Sequence, residues 1–257
     1  MSVLNRNEIH LWLVEDQSVT DPHLLATYQD FLDREERQRY QRLMFPKHKK
    51  QFLVSRALLR CVLAQYLETA PEAISFARNA YGKPRIASFN SEVPLSFNLS
   101  HTNELSVLAI TWENDIGVDV EYLTRKVDIL KLARRYFSTR ETEALQALEV
   151  SQFNDRFFDL WTLKEAYIKA CGMGLAIPLK DFSFSFQDAQ VAISFAAERQ
   201  DNPASWQFWQ YRFKKQFQIA LALKHPLAEK GRSVIMKQGI PLQAFENCSA
   251  ELKFSSL

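Results

Sequence analysis

An acidic pattern near the middle of this chain of 257 residues constrains its fold and chemistry more than any other feature. Residues 116–121 read Ile-Gly-Val-Asp-Val-Glu, with acidic residues two positions apart between valines. Because side chains two apart on a β-strand point to the same face, the pattern predicts a strand that presents Asp119 and Glu121 side by side. The isoleucine and the valines then face a core.

A second segment, roughly forty residues further along the chain, supplies a third carboxylate. Trp161, Glu165 and Lys169 are spaced i, i+4, i+8, which predicts a helix with all three on one side. Lys164 precedes the glutamate, so two lysines could flank a phosphate group. Taken alone, Glu165 and Lys169 would be an ordinary surface pair one helical turn apart.

Together the two segments predict a site for a divalent cation. If the helix packs against the end of the strand, Asp119, Glu121 and Glu165 offer three carboxylate ligands beside Lys164 and Lys169. Carboxylates, water and substrate phosphates are the ligands of Mg²⁺, and lysines bind a diphosphate. Two alternate acids on a strand are by themselves more typical of a solvent-exposed face, so the prediction depends on the third carboxylate.

Composition excludes several classes of function. A formal net charge of +2 argues against the basic field of a non-specific nucleic-acid binder. Lysines and arginines between Arg34 and Lys50 form either a solvated helix face or a surface for phosphate or an acidic protein. Only six glycines are present, and the motifs of P-loops, dinucleotide-binding turns and hydrolase elbows do not occur. Side-chain cations and a metal are therefore expected to bind phosphate.

The cysteines and the apolar runs predict a cytoplasmic protein. Cys61, Cys171 and Cys248 are far apart, which favours neither a disulfide framework nor a zinc site. The apolar run from Ile9 to Val14 is too short for a signal peptide, and no run approaches the 18 residues of a membrane span. We expect a monomer with no nucleic-acid or membrane partner.

The chain reads as two halves with a similar order of elements, each with a strand, then helices, then strands. Asn114-Asp115 is a turn signal between them. We predict an N-terminal half over residues 1–113, a C-terminal half over residues 114–225 and a loosely attached tail over residues 226–257. This order is compatible with an α+β fold whose halves pack face to face.

Individual elements carry local signals. Charged amphipathic periodicity predicts one helix over Asp30–Leu43, and Pro46 opens another that ends near Leu67. Ser138 or Thr139 is predicted to cap a further helix, with Glu141 three residues after Ser138 as in a capping box. Further predictions are strands over Leu95–Leu99 and Leu105–Trp112, a loop over Ser100–Glu104 between them, and a helix from about Phe153 to Cys171 that stops at Gly172.

Four ordered motifs resemble those of one enzyme family. The acidic strand is similar to the G-(I/V)-D-(I/V)-E motif of 4′-phosphopantetheinyl transferases, and the helix is similar to their W-x-x-K-E-(A/S)-(Y/F)-x-K motif, which extends here over Phe157–Leu175. Tyr81–Pro84 and Phe97–His101 resemble two upstream motifs of the Sfp-type branch. Because the motifs together cover roughly residues 35–186, the chain is identified as a member of that branch.

The resemblance implies an α+β fold of two similar α/β halves packed as an intramolecular pseudo-dimer. The N-terminal half would hold the coenzyme A nucleotide, and the C-terminal half would hold the metal and dock the carrier. The implied reaction moves 4′-phosphopantetheine from coenzyme A to a serine of an apo acyl, peptidyl or aryl carrier protein and releases 3′,5′-ADP. Mg²⁺, or Mn²⁺ as its substitute, would bind Asp119, Glu121 and Glu165. Glu165 is also the expected base, and Lys169 an expected catalytic contact.

The resemblance also implies contacts to coenzyme A. Ser100 and His101 would approach the 3′-phosphate together with Arg39, which follows a Glu-Arg-x-Arg pattern. Lys83 and Pro84 would border the adenine nucleotide. Lys164 and Lys169 would contact the diphosphate. The chain departs from the family where an arginine is common and Gln51 stands instead, so the 3′-phosphate grip would be weaker or come from Arg56 or Lys47.

The carrier is expected to dock near the end of the Trp161 helix. Basic residues would steer an acidic carrier: Arg134, Arg135, Lys169 and Lys180. Met173, Leu175 and Ile177 are either part of that docking contact or part of the core. Two other functions stay open: a different Mg²⁺-dependent phosphoryl transferase, and a non-catalytic module that binds coenzyme A or carrier proteins.

Overall fold

The computed structural model describes residues 3–87, 94–124, 127–225 and 231–256. The chain divides into two compact units. The first comprises Met1–Arg78, Pro84–Glu113 and Arg232–Ser249; the second comprises Asn79–Lys83, Asn114–Gly231 and Ala250–Leu257. Within the described ranges, no helix is both long enough and apolar enough to cross a membrane.

The first unit is a sheet covered by helices. Its elements up to residue 113 are β1 (Glu8–Glu15), α1 (Pro22–Asp30), α2 (Arg34–Arg42), α3 (Pro46–Leu67), β2 (Phe76–Arg78), β3 (Pro84–Ile86), β4 (Leu95–Thr102) and β5 (Leu105–Trp112). β5 pairs antiparallel with β4 on one side and with β1 on the other. α3 packs against β1 and β5, and its buried residues include Leu53, Leu59 and Leu63.

The second unit has the same kind of layering. Its elements up to residue 225 are β6 (Ile116–Tyr122), α4 (Ile129–Tyr136), α5 (Thr139–Gln146), α6 (Phe153–Cys171), β7 (Phe182–Gln187), β8 (Gln190–Phe195), β9 (Trp206–Phe213) and β10 (Phe217–Lys224). β10 pairs antiparallel with β6 and with β9. α6 lies on β6 and β10 over a core rich in aromatic rings, including Phe157, Tyr167 and Trp206.

The two units share one plan. In each, the first strand pairs with the second strand of a later hairpin, and the longest helix lies against that pair of strands. The α+β class and the two similar halves predicted from the sequence are therefore confirmed. α3 and α6 begin and end where proline, periodicity and glycine predicted them.

The C-terminal segment differs from its prediction as a loosely attached tail. It supplies β11 (Ser233–Gly239) and β12 (Phe245–Asn247) to the first sheet and β13 (Glu251–Ser255) to the second. β11 runs parallel to β1, and β13 pairs with β9. Lys253 on β13 donates to both carboxylate oxygens of the buried Asp159 on α6, at 2.6 and 2.8 Å. Backbone pairing does not require a long apolar run, so the polar composition of this segment concealed its strands.

Two boundaries in the first unit also differ from prediction. The helix predicted over Asp30–Leu43 begins later, as α2 at Arg34, because Asp33 caps it in a capping box with Glu36. The preceding helix α1, over Pro22–Asp30, was not predicted. β4 extends through Thr102, so Ser100 and His101 lie on a strand and not in the predicted loop.

Candidate active site

The acidic strand and the acidic helix pack directly on each other. At Gly117, a Cβ atom would lie 2.0 Å from the carbonyl oxygen of Ala166 and 2.5 Å from the backbone nitrogen of Ala170. Only glycine permits such a close approach between a strand and a helix backbone. Asp119 and Glu121 share the strand face of Gly117, so this contact directs both carboxylates toward α6.

Asp119, Glu165 and Lys169 form a cluster where β6 meets α6. The Nζ atom of Lys169 donates to Oδ1 of Asp119 at 2.5 Å and to the carbonyl oxygen of Val118 at 3.3 Å. Asp119 is buried, whereas Glu165, Lys169 and Glu121 are half-buried. Burial and the neighbouring Asp119 charge raise the pKa of Glu165 to about 7, although Lys169 opposes that shift. The structure therefore brings together Asp119, Glu165 and Lys169 of the predicted site, and the ligand role of Glu121 stays a prediction.

The donor chemistry of this cluster suits Mg²⁺. Carboxylate oxygens are its preferred protein ligands, and a divalent cation would relieve the repulsion by which Asp119 raises the pKa of Glu165. Across the described residues, no three acidic, histidine or cysteine side chains form a preformed metal cage. Mg²⁺ commonly takes one or two protein carboxylates and completes its shell with water and substrate phosphates, and the cluster fits that mode.

Lys164 does not belong to the cluster. Its side chain is fully buried, and its Nζ atom donates to the carbonyl oxygens of Leu179 and Phe182 at 2.7 Å each. The same atom lies 2.8 Å from Oε2 of Glu141. Because an ammonium group has three donors, these partners use all of them. The predicted contact of Lys164 with coenzyme A is therefore corrected: the residue anchors the chain that follows α6.

The first unit contains a cavity of ≈ 200 Å³ lined by arginines. Arg39, Arg56 and Arg78 line it together with Pro84 and Asn98. Thus two predicted coenzyme A residues, Arg39 on α2 and Pro84 at the start of β3, lie at one cavity. Its size and its guanidinium groups suit part of an anionic nucleotide.

Acidic side chains also line this cavity, but a buried arginine engages two of them. Nη2 of Arg60 lies 3.0 Å from Oδ2 of Asp33 and 2.8 Å from Oε2 of Glu36. Nε of Arg60 donates to the same Glu36 oxygen at 3.0 Å. Arg56 also pairs with Glu36 at 3.6 Å, and Arg78 pairs with Glu35 at 3.8 Å. Four arginines therefore balance three carboxylates around this cavity, which leaves one net positive charge, on the side of Arg39.

β4 carries the other predicted coenzyme A residues of the first unit. His101 is exposed and Ser100 is buried. Gln51 on α3 donates from Nε2 to the carbonyl oxygen of Thr102 and, at 3.3 Å, to Oδ2 of Asp16. The residue that departs from the family pattern therefore holds the end of the His101 strand. The predicted contacts of Ser100 and His101 with the 3′-phosphate stay predictions.

Lys83 is engaged by the protein itself. Its Nζ atom donates to the carbonyl oxygen of Ala170 at 2.8 Å and to that of Ile116 at 3.2 Å. Burial lowers the pKa of Lys83, and the negative charge of Asp115 opposes that shift. Its contact with the adenine nucleotide stays a prediction. Such a contact would have to compete with these two hydrogen bonds.

Three further polar residues at these contacts are not among the predicted site residues: Arg78, Asn79 and Asn98. Arg78 and Asn79 come just before the Tyr81–Pro84 motif, and Asn98 lies inside the Phe97–His101 motif. Their positions beside or inside a motif are the signal by which the sequence could have indicated them. Which of these side chains reaches a cavity or a helix end depends on the folded hairpins.

Both units match models of one protein family. Residues 115–222 match the model described as the 4′-phosphopantetheinyl transferase superfamily, and residues 20–113 match the model described as 4′-phosphopantetheinyl transferase, N-terminal. The first match contains the Asp119 strand and α6, and the second contains Arg39, Lys83 and His101.

Named relatives agree with the family models. The chain is 39% identical over 171 residues to 4′-phosphopantetheinyl transferase HetI of a Nostoc species, covering 66% of this chain and 71% of the relative. It is 32% identical to the transferase gsp of Aneurinibacillus migulanus, covering 72% and 75%. It is 30% identical to the transferase Sfp of Bacillus subtilis, covering 77% and 85%. With its acidic strand, its helix motif and these matches, the chain belongs to the 4′-phosphopantetheinyl transferase superfamily, in the Sfp-type branch.

Proposed function

We propose that this protein transfers the 4′-phosphopantetheine group of coenzyme A to a serine hydroxyl of an apo carrier protein, with release of 3′,5′-ADP. The observation that carries the proposal is the cluster of Asp119, Glu165 and Lys169 at the junction of β6 and α6. These side chains stand at the family's two most specific motifs, and membership of the superfamily supports the reaction class.

In the proposed reaction the serine oxygen attacks the β-phosphorus of coenzyme A, and the bond from that phosphorus to the bridging oxygen breaks. Mg²⁺ bound by Asp119, Glu121 and Glu165 would supply charge neutralisation at the diphosphate. Glu165 is the candidate to accept the serine proton, because its carboxylate lies in the cluster where the diphosphate is expected to bind. Lys169 is positioned to donate to a phosphate oxygen as negative charge develops there.

The decisive test is transfer to a panel of apo carriers. The protein is incubated with coenzyme A, Mg²⁺ and apo carriers of the fatty-acid, polyketide, non-ribosomal-peptide and aminoadipate types, and the products are weighed. A gain of one phosphopantetheine, together with 3′,5′-ADP, is the expected result. Omission of Mg²⁺ should stop the gain, and Mn²⁺ should restore it in part. Coenzyme A binding without any product would instead favour the non-catalytic alternative.

His101→Ala and Arg39→Ala should weaken the grip on the 3′-phosphate. A charge-assisted hydrogen bond contributes about 1.5–3 kcal/mol, so we expect the KM for coenzyme A to rise roughly tenfold or more. The KM for 3′-dephospho-coenzyme A should stay unchanged, because that substrate lacks the group. His23→Ala, at an exposed histidine of α1, is the control. A variant that still discriminates between the two substrates as well as wild type would show that its residue lies elsewhere.

The three apolar residues considered for carrier docking differ in how exposed their side chains are. Leu175 is 71% exposed, Met173 is half-buried, and Ile177 lies in the core at 1% exposure. Arg134, Arg135 and Lys180 are exposed in the same unit. We therefore propose Leu175 as the apolar contact, with the cations steering an acidic carrier.

Leu175→Ala should raise the KM for the carrier several-fold and leave coenzyme A kinetics and Tm unchanged, because an exposed side chain contributes little to folding. Val150→Ala is the matched control, since Val150 is 78% exposed in the same unit. Ile177→Ala should lower Tm instead. If Leu175→Ala and Val150→Ala affect the carrier KM equally, the docking site lies elsewhere.

The proposed reaction needs neither nucleic acid nor a membrane. A cytoplasmic monomer stays the expectation, and light scattering of the purified protein would measure its mass in solution.

A further inference from the structure

The Asn79–Lys83 turn is organised by one side chain. Oδ1 of Asn79 accepts hydrogen bonds from the backbone N–H groups of Tyr81 at 3.0 Å and Lys83 at 2.9 Å. Gly82 has a φ of +90°, which only glycine adopts readily. An Asn carbonyl that accepts from its own turn fixes the backbone locally, so the turn is a preorganised unit.

Two side chains of this turn contact the ends of the elements that carry the carboxylates. Nδ2 of Asn79 donates to the carbonyl oxygen of Gly172, just past the end of α6, at 2.7 Å. Nζ of Lys83 bridges the carbonyl oxygen of Ala170 in the last turn of α6 and that of Ile116, the first residue of β6. The last carbonyls of a helix lack partners within the helix and carry partial negative charge, which favours a cation there.

The packing at these contacts is tight. A Cβ atom at Gly172 would lie 2.8 Å from Cδ of Lys83 and 3.0 Å from Nδ2 of Asn79. Gly172 itself has a φ of +67°, so it ends α6 in the left-handed conformation and presents its carbonyl to the turn. Next to Ile116, the strand touches the helix backbone at Gly117. The lysine therefore links the strand and the helix beside the close contact at Gly117.

From these contacts we infer that the Asn79–Lys83 turn is a clamp that sets the spacing of β6 and α6, and that Lys83 is a positioning residue for the carboxylate cluster and not a coenzyme A contact. Asp119 lies three residues along β6 from Ile116, about 10 Å away. Glu165 lies five residues back along α6 from Ala170, about 7.5 Å away. Because a strand and a helix are stiff over such lengths, fixing one end fixes the distance between the two carboxylates. The inference rests on the proposed function, in which those carboxylates hold the metal.

The partial burial of Lys83 is consistent with this role. An ammonium group that is partly withdrawn from water loses hydration, and this lowers the pKa of Lys83. Two carbonyl oxygens replace part of the lost water shell.

The test compares Lys83→Met, which keeps the length and apolar stem of the side chain, with Lys83→Arg, which can still donate to two carbonyls. Mn²⁺ binding in the presence of coenzyme A and the KM for coenzyme A are measured separately. Residues that support metal ligands typically change metal affinity 10–100-fold, so Lys83→Met should weaken Mn²⁺ binding by at least tenfold and leave the coenzyme A KM within twofold. Lys83→Arg should recover most of the Mn²⁺ affinity.

Two controls separate the clamp from general loss of folding. Asn79→Ala removes the contact to Gly172 and the two hydrogen bonds that organise the turn, but it leaves the Lys83 ammonium group in place. It should therefore weaken Mn²⁺ binding less than Lys83→Met, with faster amide exchange at the end of α6. Tyr81→Ala, in the same turn but with an exposed side chain, should leave Mn²⁺ binding unchanged. A raised coenzyme A KM with unchanged Mn²⁺ affinity in Lys83→Met would overturn the clamp and assign Lys83 to the nucleotide.

The outcomes also distinguish this inference from the proposed function. A wild-type protein that binds Mn²⁺ but modifies no carrier would contradict the proposed function, and the Mn²⁺ affinities of the variants would still decide the clamp. A wild-type protein that binds no Mn²⁺ at all would overturn the clamp as well, because no metal cluster would remain to position.

Discussion

Replacing Glu165 with glutamine is expected to abolish phosphopantetheine transfer and, at the same time, to stabilise the folded protein above pH 7. In the proposed mechanism, Glu165 binds the metal and accepts the serine proton. Losing both roles should remove about 4 kcal/mol or more of transition-state stabilisation, which corresponds to roughly a 10³-fold lower kcat/KM. Asp119→Ala and Glu121→Ala should likewise reduce transfer to background, because each removes a proposed ligand.

The gain in stability follows from the raised pKa of Glu165. Burial and the Asp119 charge move the pKa from 4.5 to about 7, so the folded state binds this proton more tightly than the unfolded state does. The charged Glu165 carboxylate therefore destabilises the folded state. This destabilisation is absent below pH 4.5, grows as the pH rises toward 7 and is complete above pH 7. Its full size is roughly 3 kcal/mol at one pKa unit per 1.36 kcal/mol. Glu165→Gln removes this cost, since glutamine carries no charge.

Urea unfolding of wild type and Glu165→Gln at pH 5 and pH 8, without metal, measures the effect. The difference in the free energy of unfolding should be larger at pH 8. Glu143→Gln, at an exposed acid on α5, should change neither stability nor transfer. If Glu165→Gln retained near wild-type turnover at low Mg²⁺, Glu165 would be neither a ligand nor the base. An equal stability difference at both pH values would mean that the glutamate titrates normally.

Lys164→Ala is expected to destabilise the protein by about 3–5 kcal/mol, because it leaves a buried carboxylate without its cation. That carboxylate, Glu141, also accepts from the backbone N–H groups of Ser138 at 2.9 Å and Phe184 at 2.8 Å. The capping box predicted for Ser138 and Glu141 is confirmed and is part of this network. One lysine thus stabilises the start of α5 and the chain between α6 and β7.

A double-mutant cycle isolates the ion pair. Lys164→Met with Glu141→Gln should be more stable than the sum of the single variants predicts, because the double variant buries no net charge. Lys180→Ala, at an exposed lysine, serves as the control for loss of a positive charge. Unfolding free energies from urea titration give the coupling, and the coenzyme A KM is measured on the same samples. If Lys164→Ala unfolds at the wild-type urea concentration but has a raised KM for coenzyme A, Lys164 contacts coenzyme A as first predicted.

Local signals in the sequence determined much of the second unit. Alternation of valines and acids gave the strand with Asp119 and Glu121 on one face, and the i, i+4, i+8 spacing gave the helix with Glu165 and Lys169. Proline, glycine and capping residues fixed the ends of α3, α5 and α6. These predictions succeeded because strand and helix periodicity, and the chemistry of helix ends, act between residues close in sequence.

Only the tertiary structure decided where long side chains place their charges. Lys164 and Lys169 sit on the same helix, yet one ends among buried carbonyls and the other at Asp119. Lys83 bonds to carbonyls 33 and 87 residues away in the chain. No periodicity encodes such partners, because a lysine ammonium reaches several ångströms beyond its backbone and takes the acceptors that distant elements bring there.

The same reason explains the C-terminal strands. β11 and β13 pair through backbone groups with strands formed more than a hundred residues and about forty residues earlier, respectively. Backbone hydrogen bonds are available to every residue type except proline, so composition carries little information about such pairing. The sequence by itself therefore determined the chemistry of the site and the elements that carry it. The tertiary structure determined which lysine side chains lie at that site and which bind the backbone of neighbouring elements.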